Sequence, residues 1–463
     1  MLTKPTQNAI IQLNKLLKVH LIVREDITIQ MNNSEGLSSL TTRKKKRIDT
    51  KPFNRFRVPP KQNLLLMPLI WLFCYINTIG SGLKIKKTNM KGLKPPFIVL
   101  SSHHAWMDFY ITPLALFPYR ANYVSELEGF EFFGEWLYRQ IGCLGTRKFV
   151  NDTALVKNIK RVLDRKGVFV IYPEARYANV GTSTDIPISV SKMVKKFGVP
   201  VVGINMHGNY LQSPIWNIRK RKGAVLETEI IQLLSKEEIE KTNIDEINRK
   251  ISAFLTYDEY NWQKENKIAI KSNFRAEGLH KALYRCPHCN SDFTMNSKGT
   301  EIYCEKCGNS YYMNEYGQLL KDGIENQYSH IPDWYEWQRE CVHEEIERND
   351  YLLDIQVEIQ ALPNAVNFID CGTGRLIHDK NGFLLIFKDY GDKEEKTLSF
   401  PPLSMISVHT EYDYRNKGQC ITLSTLDNTY FIFPKEEGFN VTKIQFATEY
   451  MYKKASEKNK TLS

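Results

Sequence analysis

The chain has 463 residues, 42% of them hydrophobic and 25% charged, with a net charge of +11. That length exceeds one typical domain and suggests about three, of globular composition, and the excess positive charge calls for an anionic partner: membrane, nucleic acid or phosphorylated substrate. Nine cysteines, behind an N-terminus without the apolar core of a signal peptide, exclude an extracellular disulfide framework and suit a reducing compartment.

Residues 1–62 read as a basic N-terminal region. Ile10, Leu13, Leu17 and Leu21 recur at helical spacing with Lys15 and Lys18 between them. This amphipathic helix either packs on the next domain or lies on a membrane. Residues 24–62 show little periodicity and read as a loosely structured linker. Its basic run TRKKKR (42–47), followed by Lys51, Arg55, Arg57 and Lys61, is either solvated or lipid-facing.

LLLMPLIWLFCYINTI (64–79) is the most apolar stretch and ends at Gly80 and Gly82. It is shorter than the ~18–20 apolar residues of a spanning helix, and Pro68 interrupts it. Trp71 and Tyr75 favour a membrane interface. A buried core helix and a full span remain alternatives. A monotopic or re-entrant segment is preferred, because Lys61, Lys84, Lys86, Lys87, Lys91 and Lys94 would each gain about 1 kcal/mol near anionic lipid. The same basic collar favours a membrane over nucleic acid.

From about residue 95 strands and helices alternate. FIVL (97–100) is a buried strand, and NDTALVKNIKRVLDRKG (151–167) is a helix with Asp152 as N-cap and Gly167 at its stop. VFVIYPEA (168–175) is a second strand, SKMVKKFG (191–198) a short helix and VPVVGINMHG (199–208) a third strand. Continuous apolar runs of this kind imply an α/β fold with a largely parallel sheet flanked by helices. Its polar residues cluster just after the strands, where open sheets bind ligands.

The first such cluster is SSHHAWMDF (101–109), with His103 and His104 ahead of Asp108. A histidine oriented by a carboxylate can take a proton from a hydroxyl; a capped strand end with one core histidine is the other reading. On a regular helix, positions five apart differ by about 140° and do not share a face. His103 and Asp108 therefore meet only if the backbone turns between them, whereas His104 and Asp108 could pair on a helix. Spacing alone leaves the base open.

These elements, from roughly 64 to 230, resemble the lysophosphatidate acyltransferase family, the PlsC-like glycerolipid acyltransferases. His103 to Asp108 matches the family's H-x4-D element. IGCLGTRKF (141–149) resembles the Gly…Arg motif through Arg147, YPEARY (172–177) the F-P-E-G-T-R motif, and VPVVGI (199–204) the fourth, apolar motif. Ala175 stands in place of the family's Gly, and Arg176 comes one position early, with Tyr177 where the motif has Arg.

The resemblance implies transfer of a fatty acyl group from acyl-CoA or acyl carrier protein to the hydroxyl of 1-acylglycerol-3-phosphate. It selects His103 as general base, with Asp108 holding its tautomer, and an oxyanion held by backbone N–H groups near the same helix start. Arg147 and Arg176 become the acceptor-phosphate ligands, bidentate as guanidinium groups are, with Glu174 retained beside them and Lys148 a weaker candidate. His207 either lines the same crevice or is a structural histidine. The implied place of action is the cytoplasmic face of a membrane, peripheral or monotopic, from an acyltransferase domain spanning 63–270.

Residues 281–319 carry two C-x2-C pairs, Cys286/Cys289 and Cys304/Cys307, fourteen residues apart. Thiolates at this spacing converge on Zn²⁺ from two turns, as in a zinc ribbon. Four thiolates close the tetrahedron, so the zinc is structural, and His288 is not needed. Asp292, Glu301 and Glu305 offset the few basic residues of the module, leaving no footprint for nucleic acid.

Residues 320–351 read as a helical linker. In 352–458 strands dominate: a hairpin at Asn381-Gly382, a second turn near Asp427-Asn428, and a closing amphipathic helix with Val441, Ile444, Thr448 and Met451 on one stripe. This antiparallel β domain ending in a helix looks similar to a PH-like module for lipid or protein recognition; a β-sandwich packed on the enzyme is the alternative. The rival functions are an acyltransferase for another acceptor, such as glycerol-3-phosphate, and a zinc-ribbon adaptor with an inactive acyltransferase domain.

Overall fold

An apolar run with no polar residue to face water must be covered on both sides. The computed structural model, which describes residues 49–392 and 394–462, places that run, Phe97–Ser101, at the centre of a seven-stranded sheet, buried at every position. The amphipathic stretch 8–23 and the basic run 42–47 lie outside the described residues. Residues 50–463 form one compact unit.

The strands are β1 (Lys84–Thr88), β2 (Phe97–Ser101), β3 (Ala121–Glu126), β4 (Cys143–Thr146), β5 (Val168–Ile171), β6 (Val201–His207) and β7 (Glu227–Leu234), ordered β1-β7-β6-β2-β5-β3-β4. The five from β6 to β4 are mutually parallel, while β7 runs antiparallel to β6 and β1 runs parallel to β7. Side chains alternate across the strands. Ile98, Leu100 and Phe169 enter one apolar layer, and Phe97, Val99 and Val170 enter the other.

The helices of this part are α1 (Met67–Ile79), α2 (Asp108–Ala115), α3 (Leu127–Phe133), α4 (Glu135–Gln140), α5 (Thr153–Asp164), α6 (Ile188–Phe197), α7 (Asn209–Gln212), α8 (Lys236–Lys241), α9 (Ile244–Leu255) and α10 (Glu259–Glu265). The first layer packs under α5, α6 and α9 through Ile159, Val162, Val194, Ile247 and Ile251; the second packs under α2 through Ile111 and Ala115. Asp152 caps α5 by accepting from Ala154 N at 2.8 Å. That helix ends at Asp164, short of the expected Gly167, and Lys166 takes the left-handed conformation (φ +58°) instead. Gly167 is needed for close approach: a Cβ there would lie 2.7 Å from the Val162 carbonyl oxygen.

Helix α1 has 13 residues, about 20 Å of length at 1.5 Å per residue. Among the described residues no helix is long and apolar enough to cross a membrane. Met67, Cys74 and Thr78 are buried, and the helix packs against α2, with Trp71 edge-on to Phe117 at 4.8 Å and Phe73 on Tyr110 at 5.6 Å. The rest of the helix exposes Leu69, Leu72, Tyr75, Ile76 and Ile79, continuing an exposed Leu64 and Leu65.

Residues 50–62, expected as loose linker, are irregular in backbone yet packed. Phe53 is buried against Phe130 (5.5 Å) beneath the Arg139 guanidinium (4.9 Å). The Gln62 amide donates to Ile141 O (2.7 Å) and accepts from Ala121 N (2.6 Å).

A four-stranded antiparallel sheet follows, β8 (Met295–Lys298), β9 (Glu301–Cys304), β10 (Ser310–Met313) and β11 (Leu319–Leu320), then helix α11 (Ile331–Glu347). The C-terminal sheet comprises β12 (Leu353–Ala361), β13 (Ile369–Asp379), β14 (Gly382–Phe387), β15 (Lys396–Phe400), β16 (His409–Glu411), β17 (Cys420–Ser424) and β18 (Thr429–Pro434). It is antiparallel throughout, ordered β15-β14-β13-β12-β18-β17-β16, and helix α12 (Val441–Leu462) ends the chain. The stripe Val441, Ile444, Thr448 and Met451 is buried as its spacing predicts. Helix α11, expected to be a linker, is part of the core: Trp334 and Val342 are fully buried and the helix packs on α12. One continuous apolar cluster runs from Tyr210 and Leu211 through Met295 and Ile302 to Leu385, Ile432 and Phe446. The three segments are therefore fused through their cores.

Candidate active site

Strand β2 delivers the chain to the carboxyl edge of the sheet, where it turns before α2. Asp108 N donates to Ala105 O (3.1 Å) and Phe109 N to Trp106 O (3.3 Å). The Asp108 carboxylate folds back over this turn and accepts from His104 N (2.7 Å), Ala105 N (3.2 Å) and His103 Nδ1 (3.0 Å). The turn brings residues five apart together, and the ring that meets Asp108 is that of His103. A carboxylate only accepts, so Nδ1 carries the proton and the Nε2 lone pair is free. Burial lowers the His103 pKa, partly opposed by the hydrogen bond and charge of Asp108, so the ring is neutral at pH 7. It lies between Tyr172 (4.4 Å, stacked) and Tyr177 (4.5 Å), and its side chain remains 18% exposed.

His104 is placed differently. Its ring is fully buried, stacked on Tyr257 at 3.6 Å, with its closest carboxylate, Glu259, at 3.6 Å and no hydrogen-bond partner among the described residues. His207 hydrogen-bonds Glu259 through Nδ1 (2.8 Å) and stacks on Trp262 (5.0 Å). Gly208 N donates to the other Glu259 oxygen at 2.7 Å. Burial raises the Glu259 pKa, which the His207 contact opposes. These two histidines thus bracket a buried carboxylate behind the His103–Asp108 pair.

Glu174 reaches the site from the loop after β5. Its Oε1 accepts from His103 N (3.1 Å), and its Oε2 from Thr184 N (3.1 Å) and Tyr257 OH (3.2 Å). Burial pushes its pKa up to about 7. Ala175, where the resembling motif has glycine, adopts φ +57°, the left-handed conformation glycine tolerates best.

The expected phosphate ligands are engaged elsewhere. Arg147, directly after β4, donates from Nη1 to Leu362 O (2.9 Å) and Thr429 Oγ1 (2.8 Å), and from Nη2 to Pro363 O (2.8 Å) and Asp427 O (2.9 Å). Burial lowers its pKa to about 10. Arg176 donates to Ser407 Oγ (3.0 Å) and pairs with Glu449 of α12. Despite desolvation, Arg176 and Arg339 hold Glu449 down at about 2. Lys148 pairs with Glu126 and approaches His409 Nδ1 at 2.9 Å, and burial lowers its pKa to about 7. The structure thus brings His103, Asp108 and Glu174 together and ties Arg147, Arg176 and Lys148 to the C-terminal half.

Sequence reasoning missed Asn209, the first residue of α7, whose buried amide donates to the remaining Asp108 oxygen. Its signal was the glycine before it: Gly208 (φ +86°) turns the chain sharply after β6, where a Cβ would run into the Val225 carbonyl oxygen. Tyr257, which carries both His104 and Glu174, lies outside every motif.

The four motif cysteines converge. Their sulfurs all lie within 4.8 Å of one another, with Cys286–Cys307 at 3.7 Å and Cys289–Cys304 at 3.8 Å. A tetrahedron with Zn–S bonds of about 2.3 Å has edges of about 3.8 Å, so the set fits zinc. Two like turns present the thiols: Asn290 N donates to Cys286 O and Gly308 N to Cys304 O, each at 2.9 Å. None of the nine cysteines forms a disulfide.

A carboxylate-held, unprotonated imidazole nitrogen at the carboxyl edge of a parallel sheet can take a proton from a hydroxyl. Residues 83–207, which contain His103, Asp108, Arg147, Glu174 and Arg176, match the family model described as Acyltransferase, and this part of the chain is an acyltransferase domain. A similar solved structure is the 1-acyl-sn-glycerophosphate (LPA) acyltransferase PlsC from Thermotoga maritima. It is 16% identical, the likeness covers 41% of this chain and 78% of that chain, and the TM-score is 0.35, too low to transfer residue roles. The comparison with curated proteins gives no match.

Proposed function

We propose that the chain is a membrane-associated glycerolipid acyltransferase that uses a thioester donor, acyl-CoA or acyl carrier protein. The observation that carries this is the His103 Nδ1–Asp108 hydrogen bond of 3.0 Å inside the acyltransferase domain. His103 Nε2 takes the acceptor's hydroxyl proton as that oxygen attacks the thioester carbonyl. The tetrahedral intermediate collapses with loss of the thiolate, which receives the proton from His103. The products are an ester and a free thiol. Glu174 supports the base through its bond to His103 N, and Asp108 stabilises the imidazolium.

The acceptor implied by the resemblance is 1-acylglycerol-3-phosphate, with its phosphate on Arg147 and Arg176. Both guanidinium groups are held by the C-terminal half, so the proposal is for the reaction and the lysolipid class of acceptor. Membrane association rests on the exposed apolar residues of α1 together with Trp106 and Phe117 nearby. Free cysteines throughout suit the cytoplasmic face. Cys286, Cys289, Cys304 and Cys307 would hold a structural Zn²⁺ with no open position. The C-terminal half, PH-like in its strand pattern, would serve as scaffold or as the surface for a lipid or protein partner.

The test is thiol release and labelled ester formation by the purified chain with long-chain acyl-CoA or acyl carrier protein and a panel of lysolipids, beside His103→Ala. His103-dependent ester formation is expected, with His104→Ala retaining much of the activity. Absence of any His103-dependent product refutes the enzyme; loss with His104→Ala alone moves the base.

A further inference from the structure

We infer, building on the acyl-transfer reading above, that the acceptor of this enzyme carries no phosphate monoester. It is a monoacylglycerol or a lysophospholipid whose phosphate is already esterified to a head group.

The carboxyl edge of the sheet is where the acceptor must lie if His103 is to reach its hydroxyl. Along that edge β2, β5, β3 and β4 are neighbours in order. His103 follows β2, Glu174 and Arg176 follow β5, Glu126 ends β3, and Arg147 and Lys148 follow β4. A phosphate monoester carries about −2 near neutral pH, and taking it out of water requires cations and donors with bonding capacity to spare.

Among the described residues, the cations at this edge are committed. Arg147 is more than nine-tenths buried and uses both terminal nitrogens on three carbonyls and a hydroxyl of the C-terminal half. Arg176, equally buried, pairs with Glu449 and Ser407. Lys148 pairs with Glu126, and burial lowers its own pKa to about 7. The space between β3, β4 and the C-terminal sheet is lined by Glu126, Glu128, Arg147, Lys148 and His409 and has a volume of about 10 Å³, room for little more than a water. Its two cations are matched by two carboxylates, and Glu411 stands behind His409 at 3.1 Å. Burial raises the Glu128 pKa to about 7, which the charge of Arg147 opposes.

Nor is the clamp readily released to free the arginines. Phe53, Phe130 and Tyr138 of the catalytic half share one apolar cluster with Leu362, Phe431 and Phe433 of the C-terminal half. Undocking would expose that core.

The experiment uses the full chain with oleoyl-CoA, or oleoyl acyl carrier protein, and three acceptors bearing one common acyl chain: monoacylglycerol, lysophosphatidylcholine and lysophosphatidate. Either of the first two, or both, should exceed lysophosphatidate at least tenfold in kcat/KM, with all product lost in His103→Ala. The contrast between the first two tells whether the head is a free hydroxyl or a phosphodiester. Lysophosphatidate as equal or best acceptor overturns the inference while leaving the acyl-transfer reading standing; no His103-dependent product from any acceptor overturns both. Arg147→Met and Arg176→Met give a second readout. A domain clamp predicts a lower melting temperature with the acceptor ranking unchanged. Phosphate ligation predicts a tenfold or larger rise in KM for lysophosphatidate with the melting temperature intact, and would overturn the inference.

Discussion

Replacing Asp108 by asparagine separates the charge of this carboxylate from its geometry. Every partner is a donor: His103 Nδ1, the N–H groups of His104 and Ala105, and the Asn209 amide. An asparagine oxygen turned toward His103 keeps the first three. Its amide then meets Asn209, whose own Oδ1 has no partner among the described residues and can accept once that side chain turns over. Asp108→Asn therefore folds with a loss of roughly 1 kcal/mol, one hydrogen bond rearranged. What disappears is the charge opposite the imidazolium of the transition state. Hydrogen bonds to charged groups exceed neutral ones by about 1–2 kcal/mol, and the through-space attraction brings the loss to about 1–3 kcal/mol, a fall in kcat of about 5- to 150-fold. The pH profile gives the sharper sign. Asp108 raises the His103 pKa against the lowering by burial, so its removal lowers that pKa further. The base works only when neutral, so the acid limb of kcat/KM belongs to His103 and moves to lower pH in the variant. Thiol release measured from pH 4.5 to 9 in wild type and variant checks both. An unchanged kcat, or an acid limb displaced upward, would refute the dyad.

Asn209→Ala leaves that Asp108 oxygen only the Ala105 N–H at 3.3 Å; kcat should fall about tenfold with acceptor KM unchanged, whereas a KM effect alone would make Asn209 a substrate contact. The four cysteines should hold one zinc per chain by elemental analysis, and its removal by chelation, or Cys304→Ser, should open residues 284–319 to proteolysis; equal resistance with and without metal would contradict a structural role. Leu65 is 84% and Leu72 53% exposed, and burying them in lipid is worth roughly 2–3 kcal/mol together. Leu65→Asp combined with Leu72→Asp should therefore weaken partition onto anionic vesicles at least ~30-fold without changing the melting temperature; undiminished binding would move the membrane surface elsewhere.

Strands β2 and β5 were legible because they are buried on both faces and read as apolar runs, and β6 by its buried start, Val201–Ile204. Helix α5 was legible by its apolar spacing and its Asp152 cap, though it stops three residues before Gly167, and α6 was legible only over 191–197. The other strands of the sheet leave weaker traces. KIKKT forms the exposed edge strand β1, so its lysines face solvent and pair with Glu227 (3.2 Å) and Glu229 (3.0 Å) of β7; in the sequence they form part of a basic collar. Strand β3, ANYVSE, loses its apolar signal because only its first two residues are buried. At the site, spacing could not choose between His103 and His104 because the deciding turn is made by the Asp108 carboxylate itself. The residues that claim Arg147 and Arg176 lie 282 and 273 positions away, at Thr429 and Glu449. No local pattern announces a partner at that distance, and an arginine beside a motif looks the same whether it will meet a phosphate or a carbonyl.

That distance explains why the accessory half accompanies the enzyme. Arg339 on α11 and Arg176 on the loop after β5 grip the same carboxylate, Glu449 of α12. Two residues before Arg176, Glu174 accepts the His103 N–H. Further along the same loop, Asn179 donates to Tyr335 of α11 (2.8 Å) and Gln445 of α12 (2.9 Å). The loop that holds Glu174 is thus fixed at two points by helices that follow the four-cysteine module, and α11 is set by that module's own core through Trp334, edge-on to Tyr311 at 5.1 Å. A loop carrying a buried glutamate, a left-handed alanine and a buried arginine would not hold its shape unsupported. The C-terminal half supplies the missing constraints, and the cations it takes in exchange are those a phosphate would have needed.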